Sequence, residues 1–471
     1  MATTDQDKVV RVGGADVGGI DRFFRISQRG SSYRAEIVAG IVTWLTMAYI
    51  LFVNPAILGA VPDADGTTLA FPAVLTVTAL VAGVMTIAMG VVANVPFALA
   101  AGLGLNGFVA FTLVATLGLT WQQAMGVIVI EGALITVLVL TGVREAILDA
   151  IPMDLKRAIG IGIGLFLAII GLVNGGIVVA GEGTVITLNP DLSNLHVLTF
   201  AVGLAVTSML VVRKVKGGLL IGILATTLFA IVLNEVWGDG GIWLNGIAQI
   251  PSDIVATPDF ALLGDFDLGV FDALGVATAL AAIIAVMLSD FFDTMGTAVG
   301  LAEEAGLLDE EGKLPAMKRV LLVDSLAAAA GGAASSSSNT TFIESASGIE
   351  EGGRTGLTAV VVGALFLLAI FFSPIAGVIP PEATAPVLVL VGYFMMRAVG
   401  EIDWRDPAVG IPAMLTIVMM PFTYSITNGV GAGFLSYVVI KVLQGKARDV
   451  HPLLYVVAAI FLWYFIRGLL A

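Results

Sequence analysis

Residues 331–344 read Gly-Gly-Ala-Ala-Ser-Ser-Ser-Ser-Asn-Thr-Thr-Phe-Ile-Glu, and residues 94–107 read Asn-Val-Pro-Phe-Ala-Leu-Ala-Ala-Gly-Leu-Gly-Leu-Asn-Gly. Glycine, serine and proline make both stretches poor helices, yet each is flanked by apolar sequence. In lipid every backbone N–H and C=O must find a partner within the protein, so such segments survive at membrane depth only inside a bundle or beside a wet cavity. Two of them at matching positions point to the substrate site of a transporter. The competing reading is a flexible serine loop with glycines that serve close helix packing. Glu344, which follows at once, and the apolar sequence on both sides argue against it.

The rest of the chain supplies the setting. Of its 471 residues 58% are hydrophobic and 12% charged, whereas a soluble domain carries about 25% charged residues. Apolar runs of about 20 residues recur from end to end, which identifies an all-α polytopic membrane protein. Spans are expected at roughly 36–58, 72–94, 97–117, 121–142, 157–176, 195–212 and 217–236, and again at 272–300, 317–333, 335–352, 355–373, 384–399, 408–426 and 429–445. These make about fourteen spans in two halves of about seven, and an odd number per half turns the halves into inverted repeats. The broken stretches form the third and tenth spans.

Basic residues test that count, because they gather in cytoplasmic loops. Arg144, Lys156 and Arg157 follow the fourth span; Arg213, Lys214 and Lys216 the sixth; Lys313, Lys318 and Arg319 the eighth; Arg354 the tenth; Arg397 and Arg405 the twelfth; Lys441, Lys446 and Arg448 the fourteenth. The alternate loops, 59–71, 177–194, 237–271 and 374–383, have none. Residues 1–35 carry Arg22, Arg25, Arg29 and Arg34 without an apolar core, so the amino terminus is expected in the cytoplasm of a multi-pass protein of the cell membrane. Arg467 is the exception: the stretch 453–466 before it reads as an additional span or, preferably, as a peripheral helix in the segment 446–471.

The formal net charge of −14 excludes a polybasic nucleic-acid surface, and the absence of cysteine excludes disulfides, thiolate metal sites and a cysteine nucleophile. No metal site and no cofactor is expected. Asp239, Asp253, Asp259, Asp265 and Asp267 crowd the acidic outer loop 237–271, and Glu303, Glu304, Asp309, Glu310 and Glu311 an inner one. Both read first as solvated surface, and second as adaptation to high salt.

Ionisable side chains inside spans are costly and therefore functional candidates. Asp290 and Asp293 stand three residues apart in the eighth span and share a helix face. Glu344 lies where the extended part of the tenth span turns back into helix. Glu131 and Asp324 adjoin no broken span and read as structural. No Lys or Arg lies deep in a span, so a proton or a neutral hydrogen-bonding solute is the natural companion of Asp290, Asp293 and Glu344. His196 and His451 sit near span ends and read as interfacial rings. Gly102-Leu-Gly104-Leu-Asn-Gly107 matches a dinucleotide fingerprint but lacks the βαβ unit and the acidic residue that give it meaning. Gly160, Gly162 and Gly164 read as helix packing.

Several motifs resemble those of the AzgA-type purine permeases, the adenine, guanine and hypoxanthine branch related to the uracil and xanthine permeases of the nucleobase-ascorbate transporter family. They are Ala35-Glu36-Ile-Val-Ala-Gly-Ile-Val-Thr-Trp-Leu-Thr-Met-Ala-Tyr-Ile-Leu-Phe-Val-Asn54-Pro55, Asp290-Phe-Phe-Asp293-Thr-Met-Gly-Thr297 and Ala305-Gly-Leu-Leu-Asp-Glu-Glu-Gly-Lys-Leu-Pro315. Thr340-Thr-Phe-Ile-Glu344-Ser-Ala-Ser-Gly348, Gly352-Gly-Arg-Thr-Gly-Leu-Thr358 and Met419-Met-Pro-Phe-Thr-Tyr-Ser-Ile426 follow in the same order. The resemblance implies a core domain (36–142 and 272–373) and a gate domain (157–236 and 384–445). It also implies proton-coupled purine uptake by an elevator-like movement, often in a homodimer. The family's binding positions fall on Asp293, with Asp290 as its neighbour, on Glu344, and on Asn106 near Leu103, with Phe342 flanking the base; Glu344, Asp290 and Asp293 are the proton-coupling candidates.

That chemistry suits a purine: carboxylates accept from its N–H groups, Asn106 donates and accepts, and Phe342 stacks on its face. An anion carrier of the same fold is the alternative within transport, and three acids without a buried cation oppose it. An intramembrane aspartyl protease also needs two acids, but they must face each other and share a proton.

Overall fold

The computed structural model describes residues 19–141 and 151–470, apart from 182, 238–240, 244–245, 252 and 311–312. Arg144, Asp239, Glu311 and residues 1–18 lie outside the described residues. The chain is mostly helical, and ten of the described helical segments are long and apolar enough to cross a membrane. Leu103–Thr116, Pro407–Phe422 and Pro452–Ile466 are shorter apolar helices.

The helices are α1 (Gly19–Phe24), α2 (Tyr33–Met47), α3 (Ile50–Leu58), α4 (Phe71–Ala88), α5 (Leu103–Gly107), α6 (Trp121–Thr141), α7 (Met153–Asn174), α8 (Leu195–Val212) and α9 (Gly218–Trp237). They continue as α10 (Val270–Glu304), α11 (Met317–Ala333), α12 (Ser345–Glu350), α13 (Gly356–Ala369), α14 (Ser373–Gly377), α15 (Pro381–Met396), α16 (Pro407–Phe422), α17 (Ile426–Leu443) and α18 (Pro452–Leu470). Polar side chains start several of them by accepting the first free N–H groups: Ser32 from Ala35, Asn194 from Val197, Asp406 from Ala408 and Ser425 from Asn428. Prolines occupy the first turns of α4, α15 and α16, where a missing N–H costs nothing. One departure from the expected 272–300 span is a break inside α10 at Gly275, whose φ of 70° only glycine adopts freely.

Both broken stretches contain a strand. β1 (Leu99–Ala101) and β4 (Asn339–Thr341) pair antiparallel, with Leu99 opposite Thr341, Ala100 opposite Thr340 and Ala101 opposite Asn339. All six residues are buried, so this short ladder satisfies backbone groups in the interior. Each strand runs directly into a helix, β1 through Gly102 into α5 and β4 into α12. The expected span 335–352 is therefore helical only at its far end. A second pair, β2 (Val178–Val179) with β3 (Thr187–Leu188), lies in the loop after α7.

Small residues set the closest helix contacts. Gly162 and Gly164 face α16 and α15, where a Cβ would meet Met420 Sδ at 2.6 Å and Met395 Cβ at 2.7 Å, whereas Gly160 faces open space. Where α13 crosses the π-helical turn Met89–Ala93, a Cβ on Gly356 would stand 1.9 Å from the Gly90 carbonyl oxygen. Backbone cannot yield as a side chain can, so Gly356→Ala is expected to destabilise the protein by about 1–3 kcal/mol or more. The check is thermal unfolding of the detergent-purified variant; an unchanged melting temperature contradicts this packing.

Several basic residues close helix ends at one side of the bundle. Arg29 donates to the carbonyls of Asn94 (2.6 Å) and Arg354 (2.9 Å), and Arg319 to that of Val92 (3.2 Å). The carbonyls of Val92 and Asn94 close the π-helical turn, and a helix carboxyl end favours a cation there. Of the acids in the loop 237–271, Asp265 accepts from Gln122 and Asp267 from the Gly269 N–H. The carboxyl-terminal helix α18 lies antiparallel along α17: Tyr464 donates to Asn428 in the first turn of α17 (2.9 Å), and Tyr455 to Ala447 in the connecting turn (2.8 Å). Phe461 packs on Phe434 between these points, contacts that suit an additional span as well as a peripheral helix.

Candidate functional site

The crossing of β1 and β4 is held by the first span. Asn54 of α3 donates to the Ser336 carbonyl (3.1 Å) and to Thr78 of α4 (2.7 Å), which fixes the turn before β4. At the other end Thr46 Oγ1 lies 3.4 Å from the Glu344 carbonyl, and Tyr49 Oη donates to Glu344 Oε1 at 2.5 Å. Tyr49 stands at the joint between α2 and α3. Further along, Glu36 accepts from the N–H groups of Arg354, Thr355 and Thr358 and from the Thr358 hydroxyl, at the start of α13.

The serine run forms a tight turn rather than a loose loop. Ser335 and Ser337 adopt left-handed φ of 55° and 73°, an unfavourable region for residues with a Cβ. All four serines are buried. The hydroxyls of Ser337 and Ser338 and the amide oxygen of Asn339 make no hydrogen bond among the described residues.

The predicted acids fall in two groups around this crossing. Glu344, half-buried, directly precedes α12 at the end of the extended segment, as its sequence position suggests. Asp293 Oδ2 receives the Thr340 hydroxyl of β4 at 3.4 Å, and Asp293 lies within electrostatic reach of Asp324 and Glu344. Asp324 itself is a strut: it accepts from the N–H and hydroxyl of Thr341 (3.0 and 2.9 Å) and from Thr294 (2.8 Å), tying α10 and α11 to β4. Glu131 is wholly buried on α6 beside Gly132, where α6 meets the backbone of Ala329 on α11. From sequence Asp324 is expected to adjoin no broken span, yet the fold bonds it directly to β4, a contact its place in the ninth span does not reveal.

Asp290 and Asp293 share a helix but not an environment. Asp290 is 1% exposed, whereas the Asp293 side chain is open to its surroundings. Asn106, on α5, is completely buried, and neither its amide oxygen nor its amide nitrogen is hydrogen-bonded among the described residues. Such a group is costly unless a solute or water satisfies it. Leu103 opens α5, and Phe342 follows β4 with its N–H on the Ala98 carbonyl (2.9 Å); both are nearly buried and line the ladder with apolar surface.

The histidines stand apart from this site. His196 is 2.5 Å from Glu382, with its ring edge against Trp243, and His451 accepts from the Leu453 N–H at the start of α18. Among the described residues no cluster of three His, Asp or Glu is placed to hold a metal ion. Sequence reasoning missed Tyr49, Glu36 and Thr340. A lone tyrosine hydroxyl midway along an apolar run is the signal that marks Tyr49; Glu36 is hidden by its position at a span boundary.

Asp324 and Asp293 thus bond to β4, Glu344 ends the same extended segment, and an unpaired amide lies on the helix that β1 enters. Such a set accepts hydrogen bonds from a neutral, donor-bearing solute. The sequence pattern of the Permease family (Xan_ur_permease) matches residues 34–431. The adenine permease AdeQ of Escherichia coli strain K12 is 40% identical over 444 residues, 94% of this chain and 95% of that protein. The guanine/hypoxanthine permease PbuG of Bacillus subtilis strain 168 is 40% identical over 452 residues, 94% of this chain and 99% of that one. The transmembrane domain of the bicarbonate transporter BicA of a cyanobacterium aligns with a TM-score of 0.61 at 15% identity, covering 84% of this chain and 97% of that domain, a likeness of fold alone. The relatives at 40% identity are named as permeases rather than enzymes, and with the family pattern spanning most of the chain, this multi-pass membrane protein belongs to the Permease family.

Proposed function

We propose that the chain is a secondary active transporter that takes up the purine nucleobases hypoxanthine, guanine and adenine together with protons. What supports this reading is Asp293 against Thr340 of β4, Glu344 at the end of the same extended segment, and the unpaired Asn106 amide on the helix that β1 enters. The names of relatives 40% identical to the chain, an adenine permease and a guanine/hypoxanthine permease, support the substrate class. Asp293, Glu344 and Asn106 pair with the edge of the base, Leu103 and Phe342 flank its faces, and Asp290 backs Asp293. One of Glu344, Asp290 and Asp293 carries the proton, and the proton gradient is the energy source.

The associated architecture has about fourteen spans in inverted halves, with core segments 36–142 and 272–373 moving elevator-like against gate segments 157–236 and 384–445. The amino terminus lies in the cytoplasm, the protein sits in the plasma membrane, and it works as a homodimer. An anion carrier is the weaker reading: the acids of the crossing repel an anion, and the likeness to BicA extends only to fold. A protease dyad is opposed by the differing environments of Asp290 and Asp293 on one helix.

Competition in cells lacking their own purine permeases tests the proposal. Labelled hypoxanthine uptake should be suppressed by unlabelled guanine or adenine but not by uracil, and should be faster at an external pH of about 5.5 than of about 8, where the inward proton gradient is lost. Uptake indifferent to both guanine and adenine contradicts it.

A further inference from the structure

We infer that Tyr49 is a positioning residue, which holds the Glu344 carboxylate in one orientation for the arriving base whether that carboxylate is ionised or protonated. The inference rests on the purine reading above and deepens it. Three observations carry it: the contact, the rigidity of its donor and the break in the first span.

The Tyr49 hydroxyl stands 2.5 Å from Glu344 Oε1, in the range of charge-assisted O–H···O bonds. A carboxylate at the end of a side chain with three rotatable bonds is poorly oriented by itself. Pinned at Oε1, it presents Oε2 in a defined direction, and a site ordered in advance does not lose that ordering free energy when the base binds. The pin is stiff, since the Tyr49 side chain is 1% exposed and packed in the main apolar core.

Local backbone geometry delivers the ring to this place. α2 ends at Met47 and α3 begins at Ile50, with the N–H of Leu51 on the Ala48 carbonyl and that of Phe52 on the Tyr49 carbonyl. The turn is tightened beside the contact with Glu344, and Thr46 approaches the Glu344 carbonyl from the preceding turn. Tyr49 thereby belongs to a joint facing the acid rather than to a continuous apolar face.

Tyrosine suits the task because it both donates and accepts. It donates to an ionised carboxylate, and accepts when the carboxyl group gains a proton, so Glu344 keeps its partner in both states. A lysine would hold the acid ionised, and phenylalanine would hold it in neither state. The same geometry has a bland explanation, in which Tyr49 merely fills the core and its hydroxyl takes the nearest acceptor. The two differ in what loss of the hydroxyl does to substrate affinity.

Tyr49→Phe removes the hydroxyl and keeps the ring. We expect the KM for labelled hypoxanthine to rise about tenfold, with the maximum rate per transporter, normalised to membrane abundance, within about twofold of wild type. Tyr455→Phe, which removes a tyrosine hydroxyl that donates to the Ala447 carbonyl outside the site, serves as the comparison and should leave KM within about twofold. An unchanged KM in Tyr49→Phe overturns the inference and leaves the purine reading intact. So does loss of the variant from the membrane, which makes Tyr49 a packing residue. A wild-type chain that takes up no purine overturns both.

Discussion

Glu344→Gln is expected to reach the membrane at wild-type abundance and to lose purine uptake by more than about a hundredfold. The substitution conserves volume, and its amide oxygen can still accept from Tyr49, so the local packing has no reason to fail. What changes is the chemistry presented to the base. A carboxylate accepts at every lone pair, whereas the glutamine amide turns a donor toward a partner that is itself an N–H, and a site built on such pairing discriminates by large factors when one partner is wrong. Glutamine also cannot take up a proton. Labelled hypoxanthine uptake, corrected for transporter abundance, is the measurement; near-normal uptake removes Glu344 from the site.

The second large effect has the opposite form, a loss of fold rather than of function. Glu36 is completely buried and accepts from the backbone N–H groups of Arg354 (3.0 Å), Thr355 (3.3 Å) and Thr358 (3.3 Å) and from the Thr358 hydroxyl (2.6 Å). Those donors belong to the start of α13, where free N–H groups and the helix dipole both favour an anion. Glu36→Ala strands these neutral donors in the interior, at a penalty of about 1–3 kcal/mol for each one left unsatisfied. Against a total stability of about 5–15 kcal/mol, little folded protein should survive. Gel filtration of the detergent extract should show aggregation in place of a symmetric peak, and Glu36→Gln, which keeps one acceptor oxygen, should be intermediate. A monodisperse Glu36→Ala protein with the wild-type melting temperature refutes this role.

The contrast between the two glutamates shows what a sequence can reveal of such a protein. The broken segments were legible because glycine, serine and proline cannot satisfy a membrane helix, and composition alone exposes that. Glu344 was legible because a charge beside such a break is expensive. Glu36 was not, because it lies at a span boundary where acids are ordinary, and only the fold brings the loop before α13 onto it. Tyr49 carries a mark, a lone hydroxyl in an apolar run, but its partner is 295 residues away, and no periodicity reports a contact of that separation. The i, i+3 spacing of Asp290 and Asp293 correctly placed both on one helix, but helical phase could not say that one is enclosed and the other open. Nor could it locate the break of α10 at Gly275, since an isolated glycine in an apolar run serves packing as readily as a bend.

Close packing is the common reason for these gaps. At the serine turn, left-handed backbone at Ser335 and Ser337 is retained although two residues with side chains occupy it. The surroundings compensate: Ser335 Oγ donates to the Asp265 carbonyl (2.9 Å), and Asn54 holds the Ser336 carbonyl (3.1 Å). Residues that hold a strained turn from a distance leave no mark in their own neighbourhood of sequence.

Purified protein in liposomes offers the most direct test of purine–proton symport. With an inward proton gradient imposed across the membrane, labelled hypoxanthine should accumulate above its external concentration, and a protonophore should abolish that accumulation. Equilibration without accumulation, unaltered by the protonophore, contradicts proton coupling; absence of any purine entry, with bicarbonate or another anion transported instead, contradicts the account as a whole.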